Sequence, residues 1–310
     1  MNEKIRFGEL FEQAIEYPDV DYSERFNRLV GLDLEKEHLT KVLGLLVNPK
    51  GLSEWIDKFH NGAQNIKDIV LRRPPLIMMA GDVGSGKTEL AMTIGDAVAR
   101  QEDINITLLP LSLTTRGQGR VGQMTKLISK AFEYTLEKAK KLKGEIGKSR
   151  GAVILLVDEA DALAQSRENA QMHHEDKSGV NAFIRGVDSL GNGKFPVAVI
   201  MCTNRHGAFD PALIRRATEV FYFKRPDINQ RWKVLGPLLK ELGIMEKDIK
   251  YLAELTGNTD NRDYGFTYSD LLQRLIPAII LSAYPTKAVS SEMARRITKD
   301  MIPTPVFKEN

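Results

Sequence analysis

GDVGSGKTEL, residues 81–90, follows the apolar run LIMMA (76–80) and leads into a stretch of helix-compatible composition. Gly81, Gly86, Lys87 and Thr88 fit G-x-x-x-x-G-K-[ST], with strand, loop and helix in the order this pattern requires. Glycine lets the backbone curl until several N–H groups face one anion. A helix starting near Lys87 adds the positive end of its dipole. In this reading Lys87 reaches the β and γ phosphates of a nucleoside triphosphate, and the Thr88 hydroxyl helps hold Mg²⁺. The candidate nucleotide-binding run is Gly81, Asp82, Val83, Gly84, Ser85, Gly86, Lys87, Thr88 and Glu89.

Further short apolar runs lie at ITLLPL (106–111), VILLVD (153–158) and VAVIMCT (197–203), with helix-compatible segments between them. Continuous apolar runs of this length suit strands buried on both faces. Their alternation with helices predicts an α/β domain on a parallel sheet. After RPD (225–227) the pattern becomes helical alone, over roughly 228–242, 246–256, 267–284 and 289–301. The expected organisation is a short extension over 1–21, a large α/β domain over 22–226 and a small helical domain over 227–310. The tail IPTPVFKEN is expected to be extended because of its two prolines.

The later strands carry the remaining chemistry. VILLVDEAD delivers Asp158 to the phosphate end of the sheet, where a carboxylate can hold the metal. Glu159 points elsewhere because successive strand residues alternate, which makes it the candidate general base. VAVIMCTN ends on Asn204. Two readings of that residue stand: a turn residue, or a neutral donor that contacts the γ phosphate or the attacking water. In FDPALIRRATEVF, Asp210 and Pro211 open a short helix that Arg215 and Arg216 close. These arginines either compensate a helix C-terminus or reach the nucleotide of a neighbouring subunit.

Composition bounds the class of protein. With 310 residues and 42% hydrophobic content the chain can bury a substantial core. The 44 Lys and Arg against 41 Asp and Glu give +3, too balanced for general polyanion binding. The single cysteine, Cys202, excludes an intramolecular disulfide framework and suits a reducing compartment. The start MNEKIRFGEL lacks a signal-peptide core, and no apolar run approaches a membrane span. The expectation is a cytoplasmic protein without membrane contact.

Together, GDVGSGKT, VILLVDEAD, CTN and DPALIRRA resemble the Walker A, Walker B, sensor 1 and arginine-finger elements of AAA+ ATPases. FNRLVGLDLEKEHL (26–39) resembles the segment preceding that family's core, whose Val-Gly pair, here Val30 and Gly31, lies beside the adenine. GFTYSDLLQRL resembles part of the family's lid. The resemblance implies a parallel five-stranded sheet sandwiched by helices, a small all-helical lid, ATP with Mg²⁺, and a homo-hexameric ring. A narrower resemblance, through AGDVGSGKTELA, PLSLTTRGQGRVGQMTKL and DEADALAQSRENAQMHHEDKSGVNAFIRGVDSL, is to the pachytene-checkpoint class of remodellers, in its short bacterial, CBASS-associated form. It implies an enzyme that opens a closed HORMA-domain protein, separates it from a peptide or nucleotidyltransferase, and so silences an anti-phage signal. Within that class Arg216 matches the finger, whereas counting from DPAL favours Arg215. Central-pore contacts fall on Arg116, Arg120, Val121, Met172 and His173.

The sequence departs from the family at the first pore loop, where Arg120, Val121 and Gly122 replace an aromatic-hydrophobic pair. It departs again at Ser269, where the class carries a sensor 2 arginine; Arg274 comes at least one turn later. His173 and His174 with Glu175 and Asp176 do not make a metal site, because consecutive side chains diverge. The basic run EKAKKLKGEIGKSR (137–150) reads as a solvated helix face, and Trp55 and Trp232 as packing anchors. The competing functions are a nucleic-acid-associated AAA+ protein such as a helicase loader, and a nucleotide-gated scaffold.

Overall fold

The computed structural model describes residues 7–11, 13–113, 123–144, 149–164, 174–191, 193–205, 209–260 and 262–307. They divide into two units. The first takes the chain up to Asn27, Leu34–Ala80 and Thr88–Tyr222; the second takes Arg28–Asp33, Gly81–Lys87 and the chain from Phe223 onward.

The sheet has strands β1 (Ile15–Tyr17), β2 (Leu76–Gly81), β3 (Ile106–Ser112), β4 (Ala152–Asp158), β5 (Val197–Thr203) and β6 (Ala217–Phe223), in the order β1-β3-β4-β5-β2-β6. β3, β4, β5 and β2 are parallel: Leu108 lies opposite Ile154, Ile154 opposite Ala198, and Met78 opposite Met201. β4 is buried from Ala152 to Val157 and opens to solvent only at Asp158. That is what a sheet covered on both faces requires, since its strands can take charge only at their ends.

The resemblance implies five parallel strands; among the described residues the sheet has six, and β1 pairs antiparallel to β3, with Ile15 opposite Leu108. Three residues carry too little alternation to be read as a strand. β1 is held instead by tertiary contact: Tyr17 is buried and its hydroxyl donates to the Met92 carbonyl. Burial pushes the Tyr17 phenol well above its ordinary value.

Helices bury one face on this sheet. The Gln123–Leu142 helix buries Met124, Ile128, Ala131, Phe132, Thr135 and Ala139, the spacing of an amphipathic helix. Phe132 meets Phe183 of the His174–Leu190 helix edge to face, with ring centres 5.3 Å apart. Lys140 and Lys141 of the basic run are exposed at the end of the first of these helices, and Lys138 lies 3.5 Å from Glu16. Trp55 differs from its expected role as a packing anchor. It is 51% exposed and lies against His60 with ring centres 4.5 Å apart and planes tilted by 55°.

In the second unit the helices are Ile228–Glu241, Glu246–Leu255, Ile276–Ala283 and Ser291–Asp300. Asp227 and Gln230 form a reciprocal capping box at the first. The single helix expected over 267–284 is divided: Asp270–Leu275 is a π-helical turn, and Ile276 N–H bonds back to Leu271 O. Pro277 follows in the first turn of the next helix and cannot donate a main-chain bond, which accounts for the break in the ladder. Residues 301–307 have no regular secondary structure. Among the described residues no helix is long and apolar enough to cross a membrane.

Candidate functional site

The second unit holds the glycine-rich loop. Lys87 is only 5% exposed, and its Nζ donates to the carbonyls of Gly81 and Asp82 at 2.8 Å each, with Ser85 Oγ at 3.4 Å. The ammonium therefore gathers the loop around itself, the closed turn a phosphate cradle requires. Two glycines are sterically required. A Cβ on Gly81 would stand 2.2 Å from Phe223 O. One on Gly84, at φ +73°, would stand 2.7 Å from Thr267 Oγ1 and 2.9 Å from Ser269 Cβ. Gly86 also has positive φ, Ser85 is fully buried, and Val83 is 42% exposed at the tip.

Other candidates surround this loop within the same unit. Gly31 O accepts from Gln230 Nε2 at 2.7 Å and from the Tyr268 hydroxyl at 3.4 Å, and the neighbouring Val30 is partly exposed. Ser269, at the sensor 2 position, donates its main-chain N–H to Gly84 O at 3.2 Å. Arg274 is engaged elsewhere: Nη1 donates to Asp270 Oδ1 at 2.6 Å and Nη2 to Ile302 O at 3.0 Å. Burial alone pushes the Asp270 carboxyl up, but hydrogen bonds from Thr267, Thr304 and Arg274 outweigh it and hold the group below the ordinary carboxylate value.

In the first unit the parallel strands bring their carboxyl ends to one edge, where ligands bind in open α/β sheets. Thr88 Oγ1 donates to Asp158 Oδ1 at 3.3 Å, and Glu159 N–H donates to the same oxygen at 2.9 Å. Glu159 is exposed and stands at φ +54°, a left-handed conformation unusual outside glycine. Such strain concentrates at functional positions. Glu89, read with the nucleotide run, instead gives both carboxylate oxygens to Arg25 at 2.8 Å. That carboxylate holds the Arg25 guanidinium pKa above its usual value.

Asn204 is fixed by a residue to which the sequence reading assigns no role. Asp161 accepts from Asn204 N–H at 2.6 Å, Asn204 Nδ2 at 3.2 Å and Thr203 Oγ1 at 2.8 Å. The available signal was the second aspartate of DEAD. Asp210 caps the Pro211–Ile214 turn by accepting from Ala212 N–H at 2.8 Å, as expected of an N-cap before proline.

The two arginines that follow have different surroundings. Arg216 makes a two-point contact with Asp188, Nε to Oδ1 at 2.6 Å and Nη2 to Oδ2 at 2.9 Å, which raises its pKa. Arg215 is exposed and its Nε donates to the Pro211 carbonyl at 3.3 Å. The pore candidates Arg116, Arg120, Val121, Met172 and His173 lie outside the described residues. Among the described residues no cluster of three His, Cys, Asp or Glu could hold a metal by itself.

Residues 77–225 match the ATPase family associated with various cellular activities (AAA). The chain is 61% identical over 307 residues to CD-NTase-associated protein 6 of Escherichia coli (strain MS 115-1), covering 99% of both chains. A solved structure of an E. coli MS115-1 HORMA:CdnC:Trip13 complex contains a chain 59% identical, with TM-score 0.90 and coverage of 99% and 100%. A Rhizobiales Trip13 structure is 52% identical with TM-score 0.75, covering 96% of this chain and all of that one.

Proposed function

We propose, because this chain belongs to the AAA ATPase family alongside CD-NTase-associated protein 6, that it couples ATP hydrolysis to opening a HORMA-domain protein and freeing it from a bound nucleotidyltransferase or peptide. Likeness to the Trip13 chain of the HORMA:CdnC:Trip13 complex carries the choice of partner. Acting as a homo-hexamer, the protein would silence the anti-phage signal that such a complex produces.

The residues suit the chemistry. ATP supplies the phosphoanhydride to be cleaved, and Mg²⁺ neutralises its charge. The Gly81–Lys87 loop, closed around a buried ammonium and intolerant of a Cβ at Gly81 and Gly84, fits a phosphate chain. Thr88 and Asp158, already in contact, would hold the metal ion. Glu159, turned out of the strand by its left-handed backbone, would accept the proton of the attacking water. Asn204, held at its main chain and side chain by Asp161, would orient that water without adding charge. Arg216 would serve the nucleotide of the neighbouring subunit, with Arg215 beside it.

The deciding experiment loads the HORMA–nucleotidyltransferase complex onto wild-type protein and onto Glu159→Gln, then adds Mg-ATP. Wild type should release the nucleotidyltransferase, whereas Glu159→Gln should bind ATP and retain the whole assembly. Release that is independent of ATP, or a protein that instead captures nuclease-sensitive DNA or RNA, would refute remodelling and favour the loader reading.

A further inference from the structure

Asp82 occupies a position expected to face nucleotide, yet its carboxylate is committed to other partners. Oδ2 accepts from Arg225 Nε at 2.5 Å; Oδ1 accepts from Val83 N–H at 3.1 Å and from Phe307 N–H at 3.3 Å. Both side chains of this ion pair are nearly buried, at 7% and 11% exposure. A carboxylate in a loop built for a polyanion opposes that polyanion unless a cation neutralises it. Arg225 is that cation.

Arg225 also binds the end of the chain. Its Nη1 donates to Gly265 O and Thr304 O, both at 2.7 Å, and its guanidinium carbon lies 4.9 Å from the Tyr264 ring centre. Thr304 in turn donates N–H and Oγ1 to the buried Asp270, at 3.0 and 2.8 Å. Arg274 joins Asp270 to Ile302 O. Pro303 and Pro305 flank Thr304. They restrict the backbone on both sides, so this stretch reaches its partners with little conformational entropy left to lose. A continuous chain of charged hydrogen bonds thus runs from the loop through Arg225 to the C-terminal segment and on to the π-helical turn.

We propose that residues 302–307 form a strap that, through Arg225 and Asp82, positions the phosphate-binding loop and neutralises its one carboxylate, so that the C-terminal segment sets affinity for the nucleotide. This rests on the ATP reading above. Arg225 and Asp82 are positioning residues; neither touches the reacting atoms.

The test measures binding of a fluorescent ADP analogue to full-length protein, with nucleotide-free thermal unfolding measured in parallel. Arg225→Gln exposes the loop to an uncompensated carboxylate and should weaken binding about tenfold, the order expected for one unit charge at roughly 10 Å in an intermediate dielectric. Asp82→Asn leaves the Arg225 charge unopposed beside the loop and should bind more tightly than wild type, and Asp82→Asn combined with Arg225→Gln should recover most of the affinity lost by Arg225→Gln alone. A purely structural pair would instead lower the melting temperature in both single variants without this opposite behaviour in affinity. Phe307→Pro removes the N–H that reaches Asp82 together with the ring and should weaken binding by about two- to fivefold, the scale of a net hydrogen bond, with Phe307→Ala, which loses the ring but keeps the N–H, as its control. It carries the test should Arg225→Gln fail to fold. Wild-type affinity in Arg225→Gln and Phe307→Pro, with binding abolished in Lys87→Ala, overturns the strap alone. Wild-type affinity in Lys87→Ala overturns the ATP reading and the strap together.

Discussion

Among the close arginine–aspartate pairs, one from each unit makes the sharpest contrast in burial. Arg216 and Asp188, in the first unit, are 31% and 51% exposed; Arg225 and Asp82, in the second, are 11% and 7% exposed. Their geometry is comparable, at 2.6 and 2.5 Å for the shortest contacts. Water decides what they can do. An exposed pair contributes about 0–1 kcal/mol because solvent competes for both partners. Arg216 can therefore leave Asp188 at little cost and exchange it for another anion. Removing one partner of a buried pair costs about 3–5 kcal/mol, because the remaining charge is stranded. Arg225 is fixed in place, and so is the loop it holds.

That contrast is open to direct attack, beginning with its largest consequence. Arg216→Ala should reduce ATP turnover by about 10³- to 10⁵-fold, while the melting temperature stays nearly unchanged. Adding Lys87→Ala subunits should restore some turnover, since each variant supplies what the other lacks; a steady-state assay of the mixture checks this. If Arg215→Ala shows the large loss instead, the more exposed arginine is the finger, and the Asp188 contact is structural.

Arg225→Ala should destabilise the protein by about 3–5 kcal/mol, read from urea unfolding followed by fluorescence. A loss below 1 kcal/mol would place it with the surface pairs and remove the contrast. Acid should act on the second unit by the same logic. The folded-state pKa of Asp270 is depressed, so folding favours its ionised form. Its contribution is complete above the unfolded value of about 4 and is lost as pH falls through the folded value. Denaturant midpoints measured from pH 6 down to pH 3 should fall in wild type and fall less in Asp270→Asn.

Smaller effects calibrate the scale. Asp210→Ala removes an N-cap and should cost about 0.5–2 kcal/mol. Lys41→Ala breaks an exposed pair with Glu37, one helical turn away, and should leave the denaturation midpoint close to that of wild type because solvent screens both charges. Chemical denaturation resolves the first from wild type and should barely resolve the second.

Legibility followed distance along the chain. Asp210 and Ala212, or Asp227 and Gln230, are two or three residues apart, and local capping rules predict such contacts from residue order. Arg225 and Asp82 are 143 residues apart, Arg25 and Glu89 64, and Arg216 and Asp188 28. No periodicity or capping rule spans those separations. The three-residue β1 escaped notice because it is shorter than any usable period, and the π-helical turn because Pro277 breaks the ladder within an otherwise helical pattern.

By itself, then, the amino-acid sequence determined the parallel strands, the acidic end of β4, the glycine-rich loop, and the helices of the second unit apart from the π-helical turn. Each depends on a local property: β-propensity and burial of a continuous run, freedom of φ at glycine, or a cap beside its helix. Only the tertiary structure decided which charges meet. It gave Glu89 to Arg25, Asp82 to Arg225 and Arg216 to Asp188, set Asp161 to clamp Asn204, and held Glu159 in a left-handed conformation. The physical reason is that an ion pair is formed by proximity and desolvation, and both belong to the folded chain.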